Sequence, residues 1–234
     1  DTANHQVVYD DGLCRRLARV PPVAKPGAAP GEFDRPRGLA FAPGRGLYVA
    51  DSGNARVVLL RDPSLETVAI LTQGLTEPRA LALDGGGRLY VVDGAAGTIV
   101  RFLPSGTYDA IFAAAMAAHG IVARAIAIGA DGTLYVSTST GAIRRFDPAG
   151  AALADLEMTE AGFAAGAIAA SGALLYAADL ASGAVAVLDR ASGRRLAWLP
   201  RFLGPVAAMA ACEDGTLLVK TGDDAPYLRC PPLA

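Results

Sequence analysis

Four tyrosines and a leucine, Tyr48, Tyr90, Tyr135, Tyr176 and Leu218, stand 42, 45, 41 and 42 residues apart, each inside the same short phrase. The phrase is clearest in Pro36-Arg37-Gly38-Leu39-Ala40-Phe41, a Gly-rich break, then Leu47-Tyr48-Val49-Ala50-Asp51. It returns as Pro78-Arg79-Ala80-Leu81-Ala82-Leu83, Asp84-Gly85-Gly86-Gly87-Arg88 and Leu89-Tyr90-Val91-Val92-Asp93. Arg124 to Ile128 followed by Leu134-Tyr135-Val136 is a third copy; Leu175 to Asp179 and Asp214 to Val219 are worn fourth and fifth copies. A repeat of 40 to 45 residues is the length of one four-stranded propeller blade.

Within each copy the apolar runs are short and alternating or fully apolar, and Gly-rich turns break them, which is the pattern of β-hairpins. A third strand follows at Val57 to Leu60, Ile99 to Phe102 and Ile143 to Phe146, and an outer strand at Thr67 to Leu71, Ala152 to Glu157 and Arg195 to Leu199. The small, Ala-rich inner strands suit the crowded axis of such a fold. The reading is therefore an all-β chain, residues 1–234 forming a single β-propeller domain of four-stranded antiparallel blades. Third strands can be counted at six places but first strands at only five, which favours five blades; six, truncated or irregular, is the alternative. Tyr108 to Ala118 departs from the template and reads as a short helix or an irregular outer strand, ending at Gly120.

Composition narrows the class. Hydrophobic residues make up 52% and charged residues 19%, enough to build a sizeable core and too apolar for disorder. The net charge of -2 demands neither a polyanion nor an acidic surface as partner. The longest uncharged run, Ala161 to Ala178, contains Gly162, Gly166, Ser171 and Gly172 and fits the two-strand template, so no membrane insertion is expected. The chain opens inside a structural phrase with no basic, apolar leader, so no signal peptide is read; an extracytoplasmic setting or a place in a larger assembly both remain open.

The run Gly31-Glu32-Phe33-Asp34-Arg35-Pro36-Arg37-Gly38, with Leu47 to Asp51 and then Ser52-Gly53-Asn54-Ala55-Arg56-Val57, resembles an NHL repeat. Asp1 to Asp10 resembles the second half of another copy. The resemblance implies a β-propeller, usually six-bladed, that binds proteins or RNA or, in some branches, carries a metal-dependent lyase or hydrolase site.

Such an enzyme site needs a cluster of acids, Asn or His around a divalent cation. The chain has two His, and its Asn4 and Asn54 sit in turn motifs, as do Asp51, Asp93 and Asp179, where these side chains orient hairpins. His5 and His119 have no zinc-ligand spacing, and no nucleophile elbow or phosphate loop is present. The expectation is that the protein is not an enzyme and holds no cofactor, metal or catalytic residue.

Arg37, Arg79 and Arg124 occupy one equivalent position just before the first strand in three successive copies. Antiparallel pairing puts Arg37 on the rim that carries Asp51, and Arg79 on the rim that carries Asp93, while Arg124 meets Thr138. They form either a set of rim salt bridges or a basic arc that takes a carboxylate, a phosphate or an acidic loop. The repeated tyrosines fall at buried-strand positions rather than beside exposed cations, which argues against nucleic acid as the ligand.

The chain ends pose the closure question. Val206 to Ala210, Thr216 to Thr221 and Tyr227 to Arg229 read as three strands of a last blade, and Arg15 to Val20 can supply its outer strand, closing the ring from both termini. That arrangement sets Cys14 beside Cys230 as a disulfide pair, with Cys212 alone; if Val7 to Asp10 takes the third place instead, both thiols stay free. The functional reading is a non-catalytic binding or scaffold propeller that docks a protein partner or a small anionic ligand on its rim loops. The alternatives are a metal-dependent propeller lyase or hydrolase, a structural module of a larger assembly such as a sensor ectodomain or phage-tail-like particle, and an RNA-binding domain.

Overall fold

The computed structural model describes residues 2–4, 6–10, 16–21, 25–62, 64–156, 162–199, 202, 205–212, 216–221 and 228–231. The chain divides into two compact units, Asp1–Ala110 and Ile111–Ala234. In the first, β1 (Val7–Asp10) and β2 (Arg16–Val20) form an antiparallel two-stranded sheet. A first blade follows, with β3 (Pro36–Ala42), β4 (Gly46–Asp51), β5 (Arg56–Leu60) and β6 (Thr67–Leu71) in that order across the sheet. The second blade has three strands, β7 (Pro78–Leu83), β8 (Leu89–Asp93) and β9 (Thr98–Phe102).

The second unit carries the helix α1 (Ala110–Ala117), which begins at the boundary, and three blades. The third blade is β10 (Ala123–Ile128), β11 (Leu134–Thr138), β12 (Ile143–Phe146) and β13 (Ala152–Leu153). The fourth is β14 (Ala165–Ser171), β15 (Leu174–Asp179), β16 (Val185–Asp189) and β17 (Arg195–Trp198). The fifth is β18 (Ala208–Ala211), β19 (Leu217–Lys220) and β20 (Leu228–Cys230). Five blades of three or four antiparallel strands make the protein an all-β propeller. Their strands meander in sequence order, as hairpin turns dictate. The sequence reading makes Arg15 to Val20 the outer strand beside Tyr227 to Arg229; Arg15 and Tyr227 lie outside the described residues, and among the described ones β2 is paired with β1 while β18, β19 and β20 form a three-stranded sheet of their own.

The second strands are the core. β8 and β11 are buried along their whole length, and the four tyrosines of the repeat, Tyr48, Tyr90, Tyr135 and Tyr176, are all buried. In the second unit they pack between blades. Tyr135 joins Ile168, Ala177 and Ala186 of the fourth blade in one cluster, and its hydroxyl donates to the Arg190 carbonyl at 3.2 Å. Tyr176 joins Leu217 and Val219 of the fifth. Burial raises the pKa of each of these phenols, so they stay neutral hydrogen-bonding groups.

The stretch expected to break the template does so in two parts. Tyr108 bridges Phe102 in an isolated antiparallel pair, a vestige of an outer strand, and α1 follows at once. His119, just past the helix, shares a hydrogen bond between Nε2 and the Gly150 carbonyl at 2.8 Å and lies 4.9 Å from the Phe146 ring, a structural position.

Candidate functional site

The same irregularity recurs at the start of four first strands. Pro36 pairs with Asp51 but Leu39 with Val49; Pro78 pairs with Asp93 but Ala80 with Val92. Likewise Ala123 pairs with Thr138 but Ala125 with Ser137, and Ala165 with Asp179 but Ile168 with Ala177. Each shift is a β-bulge, one extra residue that re-aims the local side chains. Arg79 and Arg124 are the extra residues of their strands, and Arg37 lies in the corresponding bulge of β3. The equivalent of the arginine in the fourth blade is Gly166.

Arg37 and Arg79 come together. Arg79 Nη2 donates to Glu77 Oε2 at 2.8 Å, and Arg37 Nη2 lies 3.5 Å from Glu77 Oε1, the Arg79 and Arg37 side chains remaining 36% and 39% exposed. The hydrogen bond from Arg79 holds the Glu77 carboxyl below its usual range against the opposing effect of burial, with help from the charges of Arg79, Arg37 and Arg35. Two guanidiniums therefore meet at one glutamate, and the charge of a third, Arg35, which lies 3.7 Å from Asp34, also acts on it. Nε of Arg79 is buried without a hydrogen-bond partner, so its fork is not saturated by Glu77.

The approach of the two blades at this point depends on Gly38. A Cβ there would sit 2.6 Å from the Arg79 carbonyl oxygen and 3.0 Å from Ala80 Cα, so only glycine lets β3 come this close to β7.

Arg124 lies in the second unit, exposed on the bulge of β10, and among the described residues no acid pairs with it. The rim carboxylates are committed elsewhere. Asp51 is fully buried; it accepts from Asp34 N–H at 2.7 Å, Asn54 Nδ2 at 2.9 Å and Arg56 Nε at 2.7 Å. Asp93 accepts from the N–H groups of Thr76 and Glu77 and from the Thr76 hydroxyl. Rim salt bridges from Arg37 to Asp51 and from Arg79 to Asp93 are thus replaced by a shared bridge to Glu77. Sequence reasoning missed Glu77 and Arg35. They occupy the same place, just before Pro78 and Pro36, and the change of sign between adjacent copies was the available signal.

Asp51, Asn54 and Arg56 together hold one loop: Arg56 Nη1 and Nη2 donate to the carbonyls of Ala28 and Glu32, and Asn54 Nδ2 to that of Gly27. The loop so held inserts Phe33 into the core of the blade beside Val49, Val58 and Leu60. Phe33 and this whole clamp fall within residues 33–58, apart from the carbonyls it grips, and that stretch matches the NHL repeat. The first blade is an NHL repeat. No curated protein sequence matches the chain. Among solved structures, a virginiamycin B lyase from Staphylococcus aureus aligns over 98% of this chain and 78% of its own, at 12% identity and a TM-score of 0.66. A streptogramin B lyase aligns over 93% and 70%, at 12% identity and 0.64. The nidogen chain of a nidogen/laminin complex aligns over 71% and 64%, at 19% identity and 0.56.

These likenesses show the propeller fold over the chain and correct one expectation. Enzymes named as lyases are built on this fold over nearly the full length of this chain, so the expectation that it is not an enzyme does not hold. The physical reason is that a count of His and Asn bears only on a histidine-based metal cluster, whereas activity resides in whatever groups a fold happens to present. Among the described residues no group of three or more His, Cys, Asp or Glu is placed to hold a metal ion, and no helix is long and apolar enough to cross a membrane.

The remaining sequence candidates are cysteines. Cys14 lies outside the described residues, and with it the pairing to Cys230. Cys230 is half-buried on β20, and burial raises its thiol pKa, which keeps it protonated and a poor nucleophile at neutral pH.

Proposed function

We propose that this NHL propeller docks an acidic group of a protein partner, or a small anionic ligand, on the rim where Arg37 and Arg79 emerge. The observation that carries this reading is the pair of bulged arginines from adjacent blades meeting at a single glutamate. Two forks around one carboxylate, on side chains that stay partly exposed, leave positive charge and unfilled N–H donors, which suits a second carboxylate or a phosphate. Glu77 acts as an internal counter-ion that holds both guanidiniums in place before the ligand arrives. Arg124, unpaired by acid on its own blade, extends the same chemistry to the second unit. The nidogen neighbour, seen in complex with laminin, supports a protein as partner.

The test is titration of the protein with an Asp/Glu-rich peptide and, separately, with inorganic phosphate over a range of salt. Arg37→Ala with Arg79→Ala should weaken the peptide at least about tenfold and flatten its salt dependence, with stability changed by no more than about 0.5 kcal/mol, since partly exposed rim charges contribute little to folding. Unchanged binding in the double variant would leave the arginines as rim salt bridges and end the proposal. Phosphate competing with the peptide would mark a small-anion site; peptide binding without competition would mark a protein-docking face.

A further inference from the structure

We infer that β17, the outer strand of the fourth blade, is a docking edge for an extended acidic peptide that adds to the sheet as a further strand. This goes beyond the rim reading and rests on other residues. β17 pairs with β16 on one side, and among the described residues no strand pairs with its other backbone edge. Leu199 N–H donates to the Val185 carbonyl, and Ala197 stands opposite Val187, so these residues turn their backbone groups inward. Antiparallel alternation then turns the N–H and C=O of Trp198 outward, where an added strand would find them.

The side chains on this edge are those of a binding surface. Leu196 is 46% exposed and Trp198 is 40% exposed. The Arg195 guanidinium carbon lies 5.0 Å from the Trp198 ring centroid, and Phe163 backs the indole at 5.9 Å, so the ring is fixed in orientation while much of it faces water. Arg194 is also exposed, and Arg194 to Leu199 contains no acid. An aromatic anchor with arginine beside it is the composition that carries binding energy at interfaces.

The other outer strands lack this combination. β6 (Thr67–Leu71) has no charge and follows Glu66, and β13 (Ala152–Leu153) is two residues long. A bulge at Leu196 interrupts the pairing of β17 at its start, a device that blunts edges, yet it leaves the Trp198 end of the strand regular. The charge on the edge selects the occupant: acids over Arg194 and Arg195, alternating with apolar side chains against Leu196 and Trp198.

Trp198 is the single tryptophan of the chain, so its emission reports this edge alone. The probe is an eight-residue peptide alternating Asp and Val, compared with its Lys–Val counterpart and with an Asp–Val peptide N-methylated at every second amide. The expected result is a saturable change in emission with Asp–Val and none with Lys–Val. N-methylation should weaken binding at least about tenfold, because it removes the backbone hydrogen bonds that a paired strand makes. Arg194→Glu with Arg195→Glu should weaken the unmodified peptide similarly; both residues are exposed, so the fold tolerates the change. Equal binding of the methylated peptide would mean a charged surface rather than a strand edge and would overturn the inference. So would an emission change that grows with protein concentration alone, which would make a second copy of the chain the occupant. Arg37→Ala with Arg79→Ala should leave this titration unchanged, so failure here and failure at the rim are read separately.

Discussion

In the first blade the carboxylate that ends the second strand, Asp51, is answered by a buried cation, Arg56, whereas its counterpart in the fourth blade, Asp179, is answered by neutral groups. Asp179 accepts from the Ala164 N–H at 3.0 Å and from the N–H and hydroxyl of Ser182. Both aspartates do the same work, tying the chain just before the first strand to the end of the second, and Gly53 and Leu180 reinforce it with N–H bonds to the carbonyls of Asp34 and Ala164. The ionic version carries the NHL signature because Asp51, Asn54 and Arg56 must all be present to complete it. The neutral version needs only Asp-x-x-Ser-Gly, and the fourth blade uses that phrase twice, at Asp179 to Gly183 and Asp189 to Gly193. A blade can therefore lose its family signature and keep its loop.

The two chemistries should fail differently, and the largest effect comes from breaking the ionic one. Asp51→Ala leaves Arg56, whose side chain is 8% exposed, without its counter-ion, a loss of about 3–5 kcal/mol. Asp179→Ala strands only N–H and O–H groups and should cost about 1–3 kcal/mol. Urea unfolding of the two variants measures both. Equal losses would mean that Arg56 is compensated by its bonds to the Ala28 and Glu32 carbonyls, and that the signature is not an ionic clamp.

A smaller effect separates the blades at Gly38. The register makes Ala80, Ala125 and Ala167 its equivalents in the next three blades, so the position itself accepts a methyl group. In the first blade the Arg79 carbonyl stands 2.6 Å from where that methyl would lie. Gly38→Ala should cost about 1–3 kcal/mol as overpacking and, by moving β3 off β7, should pull Arg37 away from Glu77. A drop in stability with peptide binding intact would show that the arginine pair does not depend on this close approach.

How legible these features were depends on how local they are. The period of the buried tyrosines and the Gly-rich turns between strands are properties of short stretches, and the five blades and most strand positions follow from them. The turn role of Asp51, Asp93 and Asp179 was readable for the same reason. The bulges were not, since one extra residue leaves the apolar alternation of Leu39, Phe41 or Leu81, Leu83 undisturbed and shows only in the pairing with the next strand. Glu77 was hidden because its partners belong to two copies and meet only where Gly38 lets them. The Trp198 edge was read as an outer strand without chemistry, because a lone tryptophan gives no pattern until its neighbours Phe163 and Arg195 are placed around it.

The smallest expected effect is the share of the pH dependence that the fourth blade contributes. Burial pushes the Asp179 carboxyl up, but hydrogen bonds from Ala164, Ser182 and Ala181 outweigh it and hold its pKa below the ordinary value. A carboxyl with a depressed folded pKa contributes stability above its unfolded pKa, about 4 for aspartate, and loses it as pH falls through the lower folded value. Asp189 is depressed in the same way, chiefly by its hydrogen bond from the Ser192 hydroxyl. Asp179→Asn keeps an oxygen acceptor for these donors and removes the titration. Its stability, followed by urea midpoint from neutral pH downward, should therefore fall less steeply below about pH 4 than that of the parent protein, with the two curves parallel above it. If the acid limb is unchanged in Asp179→Asn but shallower in Asp189→Asn, the second Asp-x-x-Ser-Gly turn carries the linkage, and the carboxylate that ends the second strand is held no more tightly in the folded chain than in the unfolded one.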